Sequence, residues 1–185
     1  MDGLDIHLID RSTRRRKEFP MPILALLLAA AATQAEPPAE PNLQPLAFLA
    51  GSCWRGTLPD DRGTDVHCFT RMLRGHFLRD RHRVTPAGYL GETVYRWDSA
   101  ARQIRLDYYS SDGLLMTGTA SAAAHGLTFE LAYVSADGAP AVMRAAWTRD
   151  GPDAYVVTAE ARGPDGWHAA PGSARFQRIG AAPAD

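Results

Sequence analysis

The sequence predicts an all-β fold: a ten-stranded antiparallel up-and-down barrel, entered through a short N-terminal helical turn. Three observations carry this. Turn signals recur roughly every twelve to fourteen residues from Asp61-Arg62-Gly63 to Asp165-Gly166. The segments between them carry strand residues in partial alternation, as in Ile104/Leu106/Tyr108 and Leu127/Phe129/Leu131/Tyr133. No stretch after Gly51 has a helical period. Short connections force neighbouring strands to pair antiparallel. An open meander of this length would expose two edges, and closure removes them. The turn rhythm leaves no room for a long Greek-key crossover. Polar groups on both faces of Phe77-Leu78-Arg79-Asp80-Arg81-His82 suit a barrel with a partly wet interior better than a dry sandwich.

Residues 1–35 have the order of a secretory signal peptide. Arg14, Arg15, Arg16 and Lys17 are basic, residues 23–32 form an apolar core, and Thr33-Gln34-Ala35 ends in a small-residue cleavage site. A membrane span needs ~20 apolar residues, so this run is too short to hold the chain in a bilayer. Asp2, Asp5 and Asp10 are unusual in such a signal. They leave open a start further downstream, or a buried N-terminal helix. Residues 36–45 hold four prolines in ten positions and are expected to be an extended linker. Asn42 is placed to cap a helical turn through Leu49, ended by Gly51, whose apolar residues would plug one end of the domain. The barrel is expected over residues 46–180, with a disordered tail at 181–185.

Cys53 and Cys68 flank the first hairpin. A turn centred near Asp60-Asp61 places them opposite each other, within disulfide reach. In an exported chain an even pair is expected to be oxidised. The expected location is therefore periplasmic or secreted.

Composition excludes several functions. The net charge of −1 lacks the basic excess of a nucleic-acid binder. The one lysine, Lys17, lies in the leader, so the domain has no lysine for Schiff-base chemistry. There is no glycine-rich phosphate loop and no nucleophile elbow. No catalytic residue is assigned. His76 and His82 share a strand face but lie ~20 Å apart. Asp80 and His82 are ~6.6 Å apart along the strand and would need a third ligand to hold an ion. No metal site is assigned.

The candidate ligand-binding residues are Arg79, Arg81, His82, Glu92, Tyr95, Trp97 and Tyr108. Alternation puts Arg79, Arg81 and Arg83 on one strand face and Asp80 with His82 on the other. If the arginine face is inside, three guanidinium groups can hold a carboxylate or phosphate. If it is outside, it is a solvated face pairing with Glu92 or Asp107. Tyr95 and Trp97 share a face, opposite Glu92, Val94 and Arg96. They fill the barrel or contact a ligand.

The stretch LAFLAGSCWRG at Leu46–Gly56 resembles the opening of calycin-type barrels, where an apolar turn leads into Gly-x-Trp on the first strand. YLGETVYRWD at Tyr89–Asp98, followed by RQIRLDYYSSDGLLMTGTA, resembles the bacterial domain of unknown function 1579, a lipocalin-like family. Gly51-Ser52-Cys53-Trp54 has two residues between Gly and Trp where the pattern has one. Either Trp54 turns to the other face or a bulge absorbs the extra residue. Ten strands also match fatty-acid-binding and nitrobindin-like barrels. Haem binding in the latter type needs a late histidine, and His168 stands in no supporting motif, so no cofactor is assigned.

The resemblance implies a small, partly apolar ligand inside the barrel. The alternatives are an isomerase- or hydrolase-type enzyme using His82, Glu92 or Asp80, and a structural cell-envelope protein without a ligand. A small molecule is the expected partner, with no nucleic acid, no stable membrane anchor and a monomeric or dimeric chain.

Overall fold

In a computed structural model of the chain, residues 40–183 are described. The expectations for residues 1–35, and for the end of the tail, lie outside them. Eleven strands follow a 3-10 turn at Pro41–Leu46: β1 (Ser52–Thr57), β2 (Thr64–Met72), β3 (Phe77–Thr85), β4 (Tyr89–Asp98), β5 (Gln103–Ser110), β6 (Leu115–Ala123), β7 (Gly126–Val134), β8 (Pro140–Arg149), β9 (Ala154–Gly163), β10 (Gly166–Ala169) and β11 (Ala174–Ala181). β1 to β9 pair in sequence, β9 pairs with β11, and β11 returns to β1. Ten antiparallel strands thus close the barrel.

β10 is the departure from a simple ten-strand meander. It pairs only with the far half of β9, while β11 takes the near half. The last stretch of chain is one strand broken in two. Pairing runs to Ala170, whose N–H donates to the Ala159 carbonyl at 2.8 Å. Pro171 then follows with no N–H to give, which interrupts the ladder.

The N-terminal turn plugs one end, as the apolar lead-in predicts. Leu43, Leu46 and Leu49 are buried, and Gly51 ends the segment at φ +73°. Burying each of these leucines contributes about 1.5–3 kcal/mol. Two details differ from expectation. Asn42 is not the cap; its amide donates to Glu40 at 2.9 Å, and Glu40 holds the cap position. From Pro41 on, the proline-rich stretch is packed rather than extended, because Leu43 and Leu46 anchor it in the core. At the far end, Ala181 is still paired in β11.

Trp54 is fully buried and faces inward. Its ring meets Phe48 and Tyr155 edge-on, with centroids at 6.3 and 5.2 Å. The extra residue between Gly51 and Trp54 is not bulged out of β1, which runs in unbroken register with β2; the register step lies on the other side, in β11. Cys53 faces Gly180 and Trp54 faces Arg178, so the bulged residue is Ile179 on β11. Arg178 stacks over Trp54 at 4.3 Å and donates to the Phe48 carbonyl, the Ser52 hydroxyl and Asp153. One side chain thereby ties the closing seam to the plug.

Cys53 and Cys68 are direct cross-strand partners joined by a disulfide, with Cα atoms 4.1 Å apart. The bridge lies on the outer face, opposite Trp54. It is consistent with an extracellular or periplasmic protein. Among the described residues, no helix is long and apolar enough to cross a membrane.

Candidate functional site

The pleat that turns Trp54 inward does the same for the next strands. Trp54 faces His67, and His67 faces His82. Alternation then brings Asp65, His67 and Phe69 of β2, and Leu78, Asp80, His82 and Val84 of β3, to the barrel interior. Four of these seven side chains ionise, and they pair with one another.

His67 lies between two carboxylates. Nδ1 is 2.7 Å from Asp80 Oδ2, and Nε2 is 3.0 Å from Asp65 Oδ2. Burial opposes a charge on this ring, but the two carboxylates outweigh it and push its pKa up to about 10. With a carboxylate oxygen beside each ring nitrogen, both nitrogens are placed to donate, which favours the charged form of His67. Asp65 is desolvated as well, yet hydrogen bonds from His67 and His82 hold its carboxyl well below the usual range. His82 Nδ1 is 3.0 Å from Asp65 Oδ1, and its Nε2 is 3.2 Å from the Tyr108 hydroxyl. Tyr108 in turn contacts the Tyr89 hydroxyl at 2.5 Å. Burial, then the Tyr89 contact, raise the Tyr108 phenol well above its ordinary pKa. The two imidazoles stack with centroids 4.6 Å apart. One continuous hydrogen-bonded chain runs Asp80–His67–Asp65–His82–Tyr108–Tyr89, from the barrel interior to the half-buried start of β4.

Gly91 makes room for this chain. It sits opposite His82 on β4. A Cβ there would lie 2.0 Å from His82 Nε2 and 2.6 Å from the Tyr108 hydroxyl. No other residue fits at that position without moving the contact.

The polar groups form one wall of an interior cavity of about 270 Å³. The opposite walls are apolar: Leu106, Met116, Phe129, Leu131, Trp147 and Phe176 among them. Asp80 is 2% exposed, and its Oδ1 has no hydrogen-bond partner. A buried carboxylate oxygen without a donor is costly, and Asp80 borders the cavity. The site thus offers a hydrogen-bond acceptor to whatever enters. Negative charge on Asp80 also raises the Tyr95 phenol, after burial itself.

The candidate residues divide along the pleat. His82, Tyr95 and Tyr108 line the cavity. Trp97 is on the same face but packs against the core rather than the cavity. Arg79, Arg81 and Glu92 are on the outer face. Arg79 reaches Thr70 Oγ1 at 3.5 Å. Arg81 and Glu92 are cross-strand neighbours in an open outer groove that also holds Arg83 and Tyr109. The arginine face therefore does not supply guanidinium groups to the cavity, because the inward register belongs to Asp80 and His82. His168 lies on β10, outside the barrel, 2.7 Å from Asp165. It does not reach the interior.

Asp65 and His67 carry the site together with His82, although nothing in their immediate sequence marks them. Their signal is the disulfide: once Cys68 faces Cys53, His67 must face Trp54 inside. Comparison with known proteins finds no matching family model and no curated protein similar to the chain.

Proposed function

We propose that this is an exported, lipocalin-like barrel that binds a small, partly apolar molecule in its interior, as the resemblance to the domain of unknown function 1579 implies. One observation carries the reading: an interior cavity with apolar walls faced by a single charged wall. Ligand sites commonly join an apolar lining to a few convergent polar groups that set orientation. A cavity of about 270 Å³ favours a compact ligand. The unpartnered Asp80 Oδ1 favours one bearing a hydroxyl or amine donor.

The test uses Trp147, which lines the cavity, as a fluorescent reporter. Small aromatic amines and alcohols titrated into the protein should quench or shift its emission saturably. Ala145→Phe, which fills the cavity from β8, should weaken that binding at least tenfold. Equal binding by both proteins would place the ligand elsewhere.

Export is supported by the basic–apolar–small order of residues 14–35 together with the disulfide. In a Gram-negative host the mature protein should begin at Glu36 and collect in the periplasm. Intact cytosolic chain starting at Met1 would refute this.

A second reading is an isomerase- or hydrolase-type enzyme on the same barrel. The convergence of Asp65, His67, Asp80 and His82 on one cavity wall favours it, since paired titratable groups are the raw material of acid–base catalysis.

A further inference from the structure

We infer that Asp65, His67 and His82 form a binding site for a divalent first-row transition metal, with Asp80 and Tyr108 fixing the two imidazoles from behind. The idea goes beyond the ligand-binding reading and does not depend on it. Its first support is strand geometry. Asp65 and His67 are two residues apart on β2, and His82 is the direct cross-strand partner of His67. Positions i, i+2 and the residue across from i+2 form a compact triangle on one sheet face. One atom from each of the three residues falls within 4.8 Å of the others. An ion ~2.0–2.2 Å from each ligand needs only a small closing movement from there.

The second support is how the nitrogens are shared out. His67 turns Nε2 to Asp65, at 3.0 Å, and Nδ1 to Asp80, at 2.7 Å. His82 turns Nδ1 to Asp65, at 3.0 Å, and Nε2 to Tyr108, at 3.2 Å. Each ring thus points one nitrogen at the common centre and holds the other in a hydrogen bond. Histidine ligands of metals are held in this way, by a partner on the far nitrogen that fixes the ring and its tautomer. In the metal-free protein, protons bridge Asp65 to both rings. A metal would displace the His67 Nε2 proton and hold His82 as its Nε2–H tautomer, the His82 proton passing from Nδ1 to the outer nitrogen so that Nε2–H donates to the Tyr108 hydroxyl, while the His67 Nδ1–H to Asp80 bond stays. Gly91 leaves the space this arrangement requires.

Two imidazoles and one carboxylate select zinc, iron, cobalt or nickel over calcium and magnesium, which prefer oxygen-only shells. Three protein ligands leave at least one coordination position open. All three residues border the interior cavity, so that position is available to water or to a small molecule within. The competing explanation is a purely structural network of ion pairs with no affinity for metal.

The experiment is titration of the chelator-stripped, full-length mature protein with Co(II), followed by optical absorption and proton NMR. The expected result is one tightly bound Co(II) per chain with visible d–d bands. Two hyperfine-shifted exchangeable imidazole protons should appear, one from His67 Nδ1–H and one from His82 Nε2–H. This readout needs no variant, so a failure to fold cannot mimic it. Asp80→Asn, which keeps the outer partner's shape but not its charge, should weaken binding roughly tenfold to a hundredfold. His168→Ala, at the exposed Asp165 pair, should change nothing. The inference is overturned if the stripped protein takes up no stoichiometric Co(II), if the shifted imidazole protons are absent, or if His168→Ala abolishes the binding.

Discussion

Gly91 shows how one residue without a side chain can decide a site. It faces His82 across β3 and β4, in the space where the imidazole meets Tyr108. Its backbone is ordinary strand, so the constraint is space alone. Gly91→Ala would put a methyl group 2.0 Å from His82 Nε2. Overpacking of this kind costs ~1–3 kcal/mol. We expect a lower urea midpoint for Gly91→Ala and displaced His82 and Tyr108 ring resonances in NMR. Unchanged ring signals would mean that the His82–Tyr108 contact is not held as described. At the same scale, the two carboxylates that flank His67 favour its charged form against the opposing effect of burial. Buried charges survive when they are paired and hydrogen-bonded, and lose heavily when one partner goes.

Among the elements, the β1–β2 hairpin sets the register for the site. The disulfide joins its strands on the outside, with Cα atoms 4.1 Å apart, and so fixes which residues lie inside. Closing a loop of 15 residues is worth ~3 kcal/mol in the chain-entropy model. Cys53→Ser/Cys68→Ser should therefore lower the denaturation midpoint by an amount approaching that figure. A smaller loss is expected to the extent that the turn keeps the strands together in the unfolded chain. A midpoint equal to the wild type would show that the hairpin holds its register without the bridge. The plug is a second element with a local cause: three leucines carry a proline-rich segment into the barrel end, overriding the extended preference of its prolines.

For the whole molecule, closure is the decisive event. β11 joins β1 to β9, supplies Phe176 to the core and Arg178 to the seam. A chain ending at Ser173 would leave β1 and half of β9 as unpaired edges, a known route to aggregation. We expect that truncation to lose the cooperative thermal transition and to aggregate on size-exclusion chromatography. A chain ending at Pro183 should keep both the transition and the elution volume of the full domain. A soluble, cooperative protein without β11 would show that the seam is dispensable.

The sequence by itself determined the features that arise from neighbours along the chain. Turn residues punctuate it at intervals that match strand length, so the ten strands that close the barrel, their antiparallel order and their turns follow from local chemistry. The Cys53–Cys68 pairing is equally local, since a hairpin relates the two positions through its turn. The plug was visible because Leu46, Phe48 and Leu49 precede a glycine with no strand pattern of their own. Tertiary structure alone decided which face of β3 is inside. Arg79/Arg81/Arg83 and Asp80/His82 are about equally polar, so hydropathy gives the strand no inward direction. The answer came from pairing with β2, where Trp54 and the disulfide impose a face on His67. The break between β10 and β11 also needed the fold, because Pro171 interrupts a ladder only where a partner strand expects its N–H. The site itself was the least legible part. Asp65 and His67 are buried charges, tolerable only with partners on β3, and Tyr108 reaches His82 from β5, 26 residues away along the chain. Such contacts depend on how the sheet closes, and no pattern within a single strand records them.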